Sequence, residues 1–138
     1  MKKESAVKAL IVRDNRFLLL KQRVDNKVFY TLPGGRTESS DFGIDLKREV
    51  KEETGLDVEV EEYIGEWSFV RESDGTKTTC KTFLCKPLSK EVDFLCSDER
   101  ERILEFVWVT KEEFLKCDYT HNETLLNLIS KYNFQYCK

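Results

Sequence analysis

Three glutamates and one arginine lie close together in the stretch Arg48-Glu49-Val50-Lys51-Glu52-Glu53-Thr54-Gly55-Leu56. Together with the residues that precede it, this stretch carries the apolar periodicity of an amphipathic helix. The apolar positions, at i, i+4 and i+8, are Phe42, Leu46 and Val50. Gly55 stands where a glycine commonly ends a helix, and Ser39, Ser40 and Asp41 are all suited to cap its start. We therefore predict a helix over residues 41–54.

The three carboxylates of this helix lie at the edge of its buried face. On a helical wheel Glu49 and Glu53 are i, i+4 partners beside the apolar stripe, and Glu52 lies one position further toward solvent. Such placement costs free energy through like-charge repulsion and partial desolvation, which a hard cation offsets. Mg²⁺ shares its coordination sphere between a few carboxylates, waters and substrate phosphates. Arg48 is placed to form a salt bridge with Glu52. A solvated acidic helix face is the alternative explanation.

The rest of the chain predicts a β-rich pattern with its main helices far apart in sequence. Residues 6–13 and 16–23 read as a hairpin around Asp14-Asn15, and 28–32 as a third strand ended by Pro33-Gly34-Gly35. Residues 57–70 read as one or two strands, and 77–86 as the strand that returns from a turn at 73–76. A strand at 104–109 and helices at 111–116 and 122–132 complete the pattern, with a loop at 90–102. A mixed sheet between helices, an α/β fold, suits this order.

Length and composition limit the function classes. The 138 residues fit one domain over residues 1–138. The net charge of −3 does not suggest a surface for polymeric nucleic acid, whereas local cations still permit a small anionic substrate. No apolar run is long enough for a membrane helix and no signal peptide is recognisable, so we expect a cytoplasmic protein without a membrane partner.

The nucleophilic and metal-binding side chains argue against several other chemistries. The five cysteines are odd in number and lack a Cys-x-x-Cys pair, which predicts free, largely buried thiols. The single histidine, His121, argues against a zinc site and weakens a Ser-His or Cys-His mechanism.

The stretch 32–36, Leu-Pro-Gly-Gly-Arg, followed by Arg48 to Leu56, closely resembles the signature of the Nudix hydrolase family, of which MutT-like proteins are members. That signature is G-x5-E-x7-R-E-U-x-E-E-x-G-U, where U is a bulky aliphatic residue, and its second half matches here at every fixed position. The resemblance implies an α/β/α sandwich around a mixed β-sheet. It also implies hydrolysis of a nucleoside diphosphate linked to another moiety, with Mg²⁺, or Mn²⁺, as cofactor.

The first half of the signature departs from the family spacing. Gly35 to Arg48 is one residue short, so alignment from Gly35 places Asp41 at the first glutamate, and alignment from Arg48 places Ser40 there. We prefer a one-residue deletion, with Asp41 or Glu38 serving nearby.

The resemblance assigns roles to individual residues. It implies that Glu52 and Glu53 are the principal metal ligands, that Glu49 is a ligand or the general base, and that Gly35 contributes its carbonyl. Arg48 belongs to the same catalytic set. Some family members place the base in a later loop, where this chain offers Glu99, Glu101 and Glu105, with Glu101 preferred.

Other side chains are candidates for substrate binding. Lys21, Arg23 and Arg36 flank the expected cleft and are suited to hold phosphates, although each is equally well explained as a surface charge. Trp67, Phe69 and Tyr30 are suited to stack a base, but aromatic residues on strands more often fill the core.

The function predicted from the sequence is a nucleoside triphosphate pyrophosphohydrolase acting as a monomer or homodimer on a small nucleotide. Hydrolysis of a nucleotide sugar or dinucleoside polyphosphate is the alternative within the same class. A Nudix domain that binds a nucleotide or protein without catalysis is the alternative from another class. A third, an unrelated α+β domain with an acidic helix, predicts that Mg²⁺ has no effect on thermal stability.

Overall fold

A computed structural model describes residues 2–24, 26–37, 41–72, 74–89 and 103–133. These residues form seven strands and three helices in the following order: β1 (Lys3–Arg13), β2 (Arg16–Val24), β3 (Lys27–Thr31), β4 (Gly34–Arg36), α1 (Phe42–Thr54), β5 (Val58–Val70), β6 (Lys77–Pro87), β7 (Ile103–Thr110), α2 (Lys111–Lys116) and α3 (Glu123–Lys131). Within these residues, none of the helices has the length and hydropathy needed to cross a membrane.

The strands form a mixed sheet whose centre is β1. Strand β1 runs parallel to β6 over nine residue pairs and antiparallel to β4 and β2. The antiparallel strand β5 continues the sheet beyond β6, while β3 and β7 flank β2 on its two sides. This arrangement brings the short strand β4, and with it the Gly34-Gly35 pair, directly beside the start of β1.

Local side-chain chemistry explains where α1 begins and ends. The Asp41 carboxylate accepts a hydrogen bond from the N–H of Ile44 at 3.0 Å, which satisfies a helix donor that has no intrahelical partner. At the other end Gly55 has a φ of 75°, and its N–H donates to the Lys51 carbonyl. A residue with a Cβ is strained in that conformation, so the helix stops at the glycine.

The apolar side chains divide between the two faces of the sheet. On one face α1 contributes Leu46 and Val50, which pack with Val7, Ile11 and other strand residues. On the other face α2 and α3 cover a second cluster, to which Phe114, Leu125 and Ile129 belong. The alternation of side chains along β1 supplies both clusters, because successive residues of a strand point to opposite faces. The predicted α/β/α sandwich is confirmed.

Hydrogen bonds fix α3 against β5. Asn122 caps α3 by accepting from the N–H groups of Thr124 and Leu125, and its amide nitrogen donates to the Ser68 carbonyl at 2.8 Å. The Thr124 hydroxyl also donates to that carbonyl and accepts from the Ser68 N–H. The second helical layer is therefore tied to the sheet by polar contacts as well as by apolar packing.

The structure differs from the sequence prediction at the glycine pair, and it decides between the two alternatives for residues 57–70. Gly34 and Gly35, predicted with Pro33 to end the third strand, belong with Arg36 to the separate strand β4, which pairs with β1. Residues 57–70, predicted as one or two strands, form the single strand β5, whose register against β6 shifts at two points. The β4 pairing depends on β1, a strand distant in sequence, whereas β5 pairs with the next strand along the chain, β6.

The cysteines within the described residues are free thiols. Cys80 and Cys85 are buried and Cys117 is exposed, whereas Cys96 and Cys137 lie outside the described residues. Burial raises the pKa of Cys80 to about 11 and that of Cys85 to about 12. Because the thiolate is the reactive form, these two side chains are structural.

Candidate active site at the junction of β4 and α1

The buried carboxylate of α1 is joined to the glycine pair that begins β4. Glu53 is only 6% exposed, and its Oε1 accepts a hydrogen bond of 2.7 Å from the N–H of Gly34. A buried carboxylate is costly unless it is hydrogen-bonded or paired, and this bond from a backbone donor offsets part of that cost. The bond also fixes the direction of the Glu53 side chain relative to the strand.

Glu49 approaches the neighbouring glycine so closely that only a hydrogen fits between them. A Cβ placed on Gly35 would lie 2.6 Å from both the Cδ and the Oε2 atoms of Glu49. Gly35 pairs with Val7, which belongs to the apolar cluster on the α1 face, so this side of β4 looks toward the helix. The absence of a side chain at residue 35 is what lets a carboxylate and the strand backbone meet here.

Arg48 contacts three carboxylates of its own helix. Its Nη1 lies 3.3 Å from an oxygen of Glu49 and 3.3 Å from an oxygen of Glu52, so the ion pair that the sequence predicts with Glu52 is present. Its Nη2 lies 3.9 Å from Asp45, a carboxylate that the sequence interpretation did not single out. Asp45 precedes Glu49 by four residues, and its side chain is 6% exposed. The guanidinium therefore reduces the repulsion within this row of acids.

The three signature glutamates differ in their exposure to solvent. The Glu52 side chain is 45% exposed and that of Glu49 is 17% exposed, while Glu53 is buried. Within the described residues, no three His, Cys, Asp or Glu side chains converge closely enough to hold a metal ion. Glu49 and Glu53 nevertheless both reach the Gly34-Gly35 backbone. Two carboxylates with waters and substrate phosphates suit Mg²⁺, so these residues fit the ion that the family implies.

The residues considered for the missing first glutamate have different outcomes. Asp41 is the N-cap of α1, and its Oδ1 accepts the bond from Ile44. Glu38 and Ser40 lie outside the described residues, as do Glu99 and Glu101, the latter being the preferred general base. The remaining base candidate, Glu105, lies on β7 with an oxygen 3.9 Å from Nζ of Lys21.

The three cations predicted to bind phosphate lie on two different strands. Lys21 and Arg23 are on β2, where Lys21 also approaches the ring of Tyr30 at 5.9 Å. Lys21 shares its side of β2 with Phe17 and Leu19, which belong to the cluster under α2 and α3, so it lies on the face opposite α1. Arg36 is on β4, directly after the glycine pair. Trp67, one of the predicted stacking residues, is buried in the core.

Arg36 also lines a cavity that the sequence interpretation missed. The cavity has a volume of about 490 Å³, and its lining residues are Lys2, Lys3, Glu4, Arg36, Arg71, Asp74 and Thr76. These residues come from the start of β1, from β4 and from the turn between β5 and β6. The Asp74-Gly75 turn signal located one of these segments, but no sequence pattern shows that the three segments meet.

Two carboxylates organise the cations of this cavity. Glu4 lies 3.4 Å from Nε of Arg36 and 3.4 Å from Nη1 of Arg71, and it accepts a 2.8 Å bond from Thr78. Asp74 lies 3.1 Å from Nε of Arg71 and accepts from the N–H of Thr76 at 3.0 Å. The bond from Thr76 and the nearby guanidinium lower the pKa of Asp74 to about 2, and the two carboxylates raise the pKa of Arg71.

Solved structures with the same fold cover almost the whole chain. A MutT protein from Methanosarcina mazei Go1 superposes with a TM-score of 0.78 at 21% identity, covering 99% of this chain and 97% of that one. A MutT NUDIX hydrolase from Burkholderia pseudomallei superposes with a TM-score of 0.76 at 24% identity, covering 96% of this chain and 100% of that one. An ADP-ribose pyrophosphatase from Streptococcus suis gives a TM-score of 0.62 at 20% identity, covering 94% and 93%. At these identities the likeness concerns the fold.

A comparison with curated protein sequences gave no significant match. The family model for the NUDIX domain, in contrast, matches residues 2–129. This span contains the glycine pair, all of α1 and every strand of the sheet. Both the resemblance seen in the signature and the enzyme class that it predicts are thereby confirmed, and the chain belongs to the NUDIX domain family of hydrolases.

Proposed function

We propose that this protein hydrolyses a diphosphate linkage in a nucleoside diphosphate derivative with the help of Mg²⁺, and that its substrate is a nucleoside triphosphate. The observation that carries the proposal is the meeting of α1 with β4. There a buried Glu53 is held by the Gly34 N–H, and Glu49 contacts the backbone of Gly35. Packing alone does not require acidic side chains at such positions, because an apolar residue would be buried there at lower cost.

Glu53, Glu49 and Glu52 are proposed as the metal-binding carboxylates, with the Gly35 carbonyl as a further oxygen. When bound, Mg²⁺ lowers the pKa of a water and neutralises charge on the diphosphate. The Gly34 N–H keeps Glu53 in a fixed orientation, and Arg48 holds Glu49 and Glu52 on one side of the helix. The closed packing of Leu46 and Val50 beneath them keeps α1 in place on the sheet.

A carboxylate takes the proton from the attacking water in this proposal. Glu49 has the required position next to the glycine pair, and its 17% exposed side chain is open to solvent. Glu101 remains the alternative base and lies outside the described residues. The cations proposed to hold substrate phosphates are Arg36, beside the glycines, and Lys21 and Arg23 on β2.

A substrate panel tests the proposal. Wild-type protein is incubated with Mg²⁺ and nucleoside triphosphates, nucleotide sugars and dinucleoside polyphosphates, and the phosphate or pyrophosphate produced is measured. We expect release of pyrophosphate from triphosphates, which stops when the metal is chelated. Equal inactivity of wild type and Glu53→Gln on every substrate would contradict catalysis, and Mg²⁺-dependent binding of a nucleotide without turnover would then identify a binding domain.

A further inference from the structure

The cavity beside Arg36 concentrates positive charge on a protein that is acidic overall. Four of its lining residues, Lys2, Lys3, Arg36 and Arg71, are cationic, and two, Glu4 and Asp74, are anionic. The local charge is therefore +2, whereas the whole chain carries −3. Cations gathered in a concave surface attract an anionic ligand more strongly than scattered surface charges do.

The ion pairs within the cavity hold its guanidinium groups close together. Glu4 contacts both Arg36 and Arg71, so it brings these two side chains to one place. Arg71 is fixed further by Asp74. Guanidinium groups that are held in a fixed orientation lose less entropy on binding phosphate oxygens, which they bind through paired N–H donors. Among the described residues, neither Lys2 nor Lys3 has a carboxylate partner, so both ammonium groups are open to a ligand.

The cavity and the α1 carboxylates lie on opposite sides of one short strand. Gly35 pairs with Val7, which faces α1, while Arg36 pairs with Ala6, which belongs to the cluster on the other face. Strand β4 is three residues long, roughly 10 Å, and within the described residues it pairs only with β1. A flexible anion can therefore pass over its free edge and contact both sides.

We propose that this cavity binds the phosphate groups of the substrate that lie beyond the bond to be cleaved, so that the enzyme selects nucleoside polyphosphates over nucleotide sugars. The inference rests on the proposed function, because it assumes that a diphosphate lies at Glu49 and Glu53. A further phosphate meets the cations around Arg36, whereas the uncharged sugar of a nucleotide sugar gains nothing there.

Binding of inorganic tripolyphosphate to the metal-free protein in EDTA tests the cavity independently of catalysis. The test variant is Lys2→Gln/Lys3→Gln/Arg36→Gln, which changes the cavity charge from +2 to −1. We expect calorimetry to show affinity at least about tenfold weaker than wild type, with a difference that shrinks as salt is raised. Lys86→Gln is the matched control, because it removes one exposed cation nine positions along β6 from Lys77, about 30 Å away.

The double variant Lys2→Gln/Lys3→Gln guards against a folding artefact, because neither lysine makes an ion pair among the described residues. We expect it to melt at the wild-type temperature and to show an intermediate loss of affinity. Equal tripolyphosphate affinity in wild type and the triple variant would overturn the proposal.

Kinetics identify the source of the bound phosphate. For one nucleoside, we expect wild type to have a higher kcat/KM on the triphosphate than on the diphosphate, and the triple variant to lose about tenfold of this preference through KM. The double variant Lys2→Gln/Lys3→Gln, which keeps Arg36, is expected to retain activity on a nucleotide sugar within twofold of wild type. If the triple variant binds tripolyphosphate more weakly but keeps the wild-type preference for the triphosphate over the diphosphate, the cavity binds free inorganic anions. That result would overturn the proposal that the cavity binds substrate.

If wild type hydrolyses none of the substrates, the proposed function fails, but binding measurements still test whether the cavity binds polyphosphate. The nucleoside triphosphate and diphosphate are then titrated directly against metal-free wild type and triple variant. A triphosphate preference that disappears in the variant supports the cavity as a polyphosphate site, and equal affinities in both proteins overturn it.

Discussion

The two sides of β4 differ in how they use charge. On the α1 side Glu53 is buried and accepts a hydrogen bond from the Gly34 N–H, and Glu49 lies against the strand itself. On the cavity side Arg36 is 67% exposed, and it shares the partly exposed Glu4 with Arg71. Charge interactions are strong where solvent is excluded and weak where water and salt screen them. Substitutions on the α1 side should therefore change activity strongly, and those on the cavity side should change it moderately.

The largest effect is expected for Glu53→Gln. The glutamine amide oxygen still accepts a hydrogen bond from the Gly34 N–H, but it lacks the negative charge that binds a metal. We therefore expect kcat/KM to fall more than about a hundredfold, which is more than the loss expected when a residue that only supports a metal ligand is changed. In a Mg²⁺ titration followed by thermal melting, wild type should be stabilised and the variant should not, because only the ligand-bound native state is stabilised by mass action. Glu112→Gln, an exposed change on α2, is the matched control.

A Mg²⁺-dependent rise in melting temperature that is the same for wild type and Glu53→Gln would show that the ion binds elsewhere. Full activity of Glu53→Gln would show that the α1 side of β4 takes no part in catalysis.

Substitution of the two neighbouring glycines should affect different properties, stability for Gly34 and activity for Gly35. A Cβ on Gly34 would lie 2.0 Å from the Val7 carbonyl oxygen, and its φ is 145°, so Gly34→Ala should lower the free energy of unfolding by about 3 kcal/mol. The three heavy atoms nearest to a Cβ on Gly35 all belong to the end of the flexible Glu49 side chain. Gly35→Ala should therefore change stability by less than about 1 kcal/mol and displace Glu49, reducing kcat/KM about tenfold or more.

Urea denaturation and the hydrolysis assay measure the two properties on the same samples. The comparison fails if Gly35→Ala is as unstable as Gly34→Ala, or if it is stable and fully active.

Substitutions of Arg48 test whether its guanidinium is needed to hold the neighbouring carboxylates of α1 in place. Arg48→Lys keeps the charge, but one ammonium group cannot reach Asp45, Glu49 and Glu52 together as the guanidinium does. We expect about tenfold lower kcat/KM with a melting temperature within a few degrees of wild type. Arg48→Ala should be both less active and less stable, by about 1 kcal/mol, since Asp45 is mostly buried while Glu52 is exposed.

Raising the salt concentration should reduce the stability difference between Arg48→Ala and wild type, because the exposed part of the network is screened. Equal activity of Arg48→Lys and wild type would show that charge alone, and not the shape of the guanidinium, orients the glutamates.

The α1 side of β4 was largely predictable from the sequence, because it is encoded locally. The apolar spacing of Leu46 and Val50 predicts the helix, and Gly55 marks its end. The wheel also places Glu49 and Glu53 beside the buried face. It does not show that Glu53 is the more buried of the two, since that depends on the Gly34 N–H reaching it from β4.

The cavity side was not predictable in the same way. Its cations come from the first residues of β1, from β4 and from the turn before β6, and they meet only because β1 pairs with both β4 and β6. Strand β4 itself was missed for the same reason. Its three residues carry no periodicity, and its pairing with Ala6, Val7 and Lys8 spans nearly thirty positions.

The smallest effect is expected from Asp74, which organises the cavity side from the surface. The Thr76 N–H and the Arg71 guanidinium stabilise its ionised form and lower its pKa from 3.8 to about 2. A carboxylate whose pKa is lower in the folded state stabilises the fold fully above its unfolded pKa, and the contribution is lost as pH falls through the folded value. Asp74→Asn should therefore be slightly less stable than wild type above about pH 4, and the difference should narrow toward pH 2.

Thermal melting of both proteins at intervals between pH 6 and pH 2 measures this narrowing. The asparagine keeps an oxygen that accepts from the Thr76 N–H, so what the variant loses is mainly the charge facing Arg71. Because Asp74 is exposed and Arg71 is partly exposed, high salt should reduce the difference at pH 6 as well. A difference that stays constant down to pH 2 would mean that the turn geometry, and not the charge of Asp74, stabilises this side of the molecule. Charge would then matter for the α1 side of β4, but not for the stability of the cavity side.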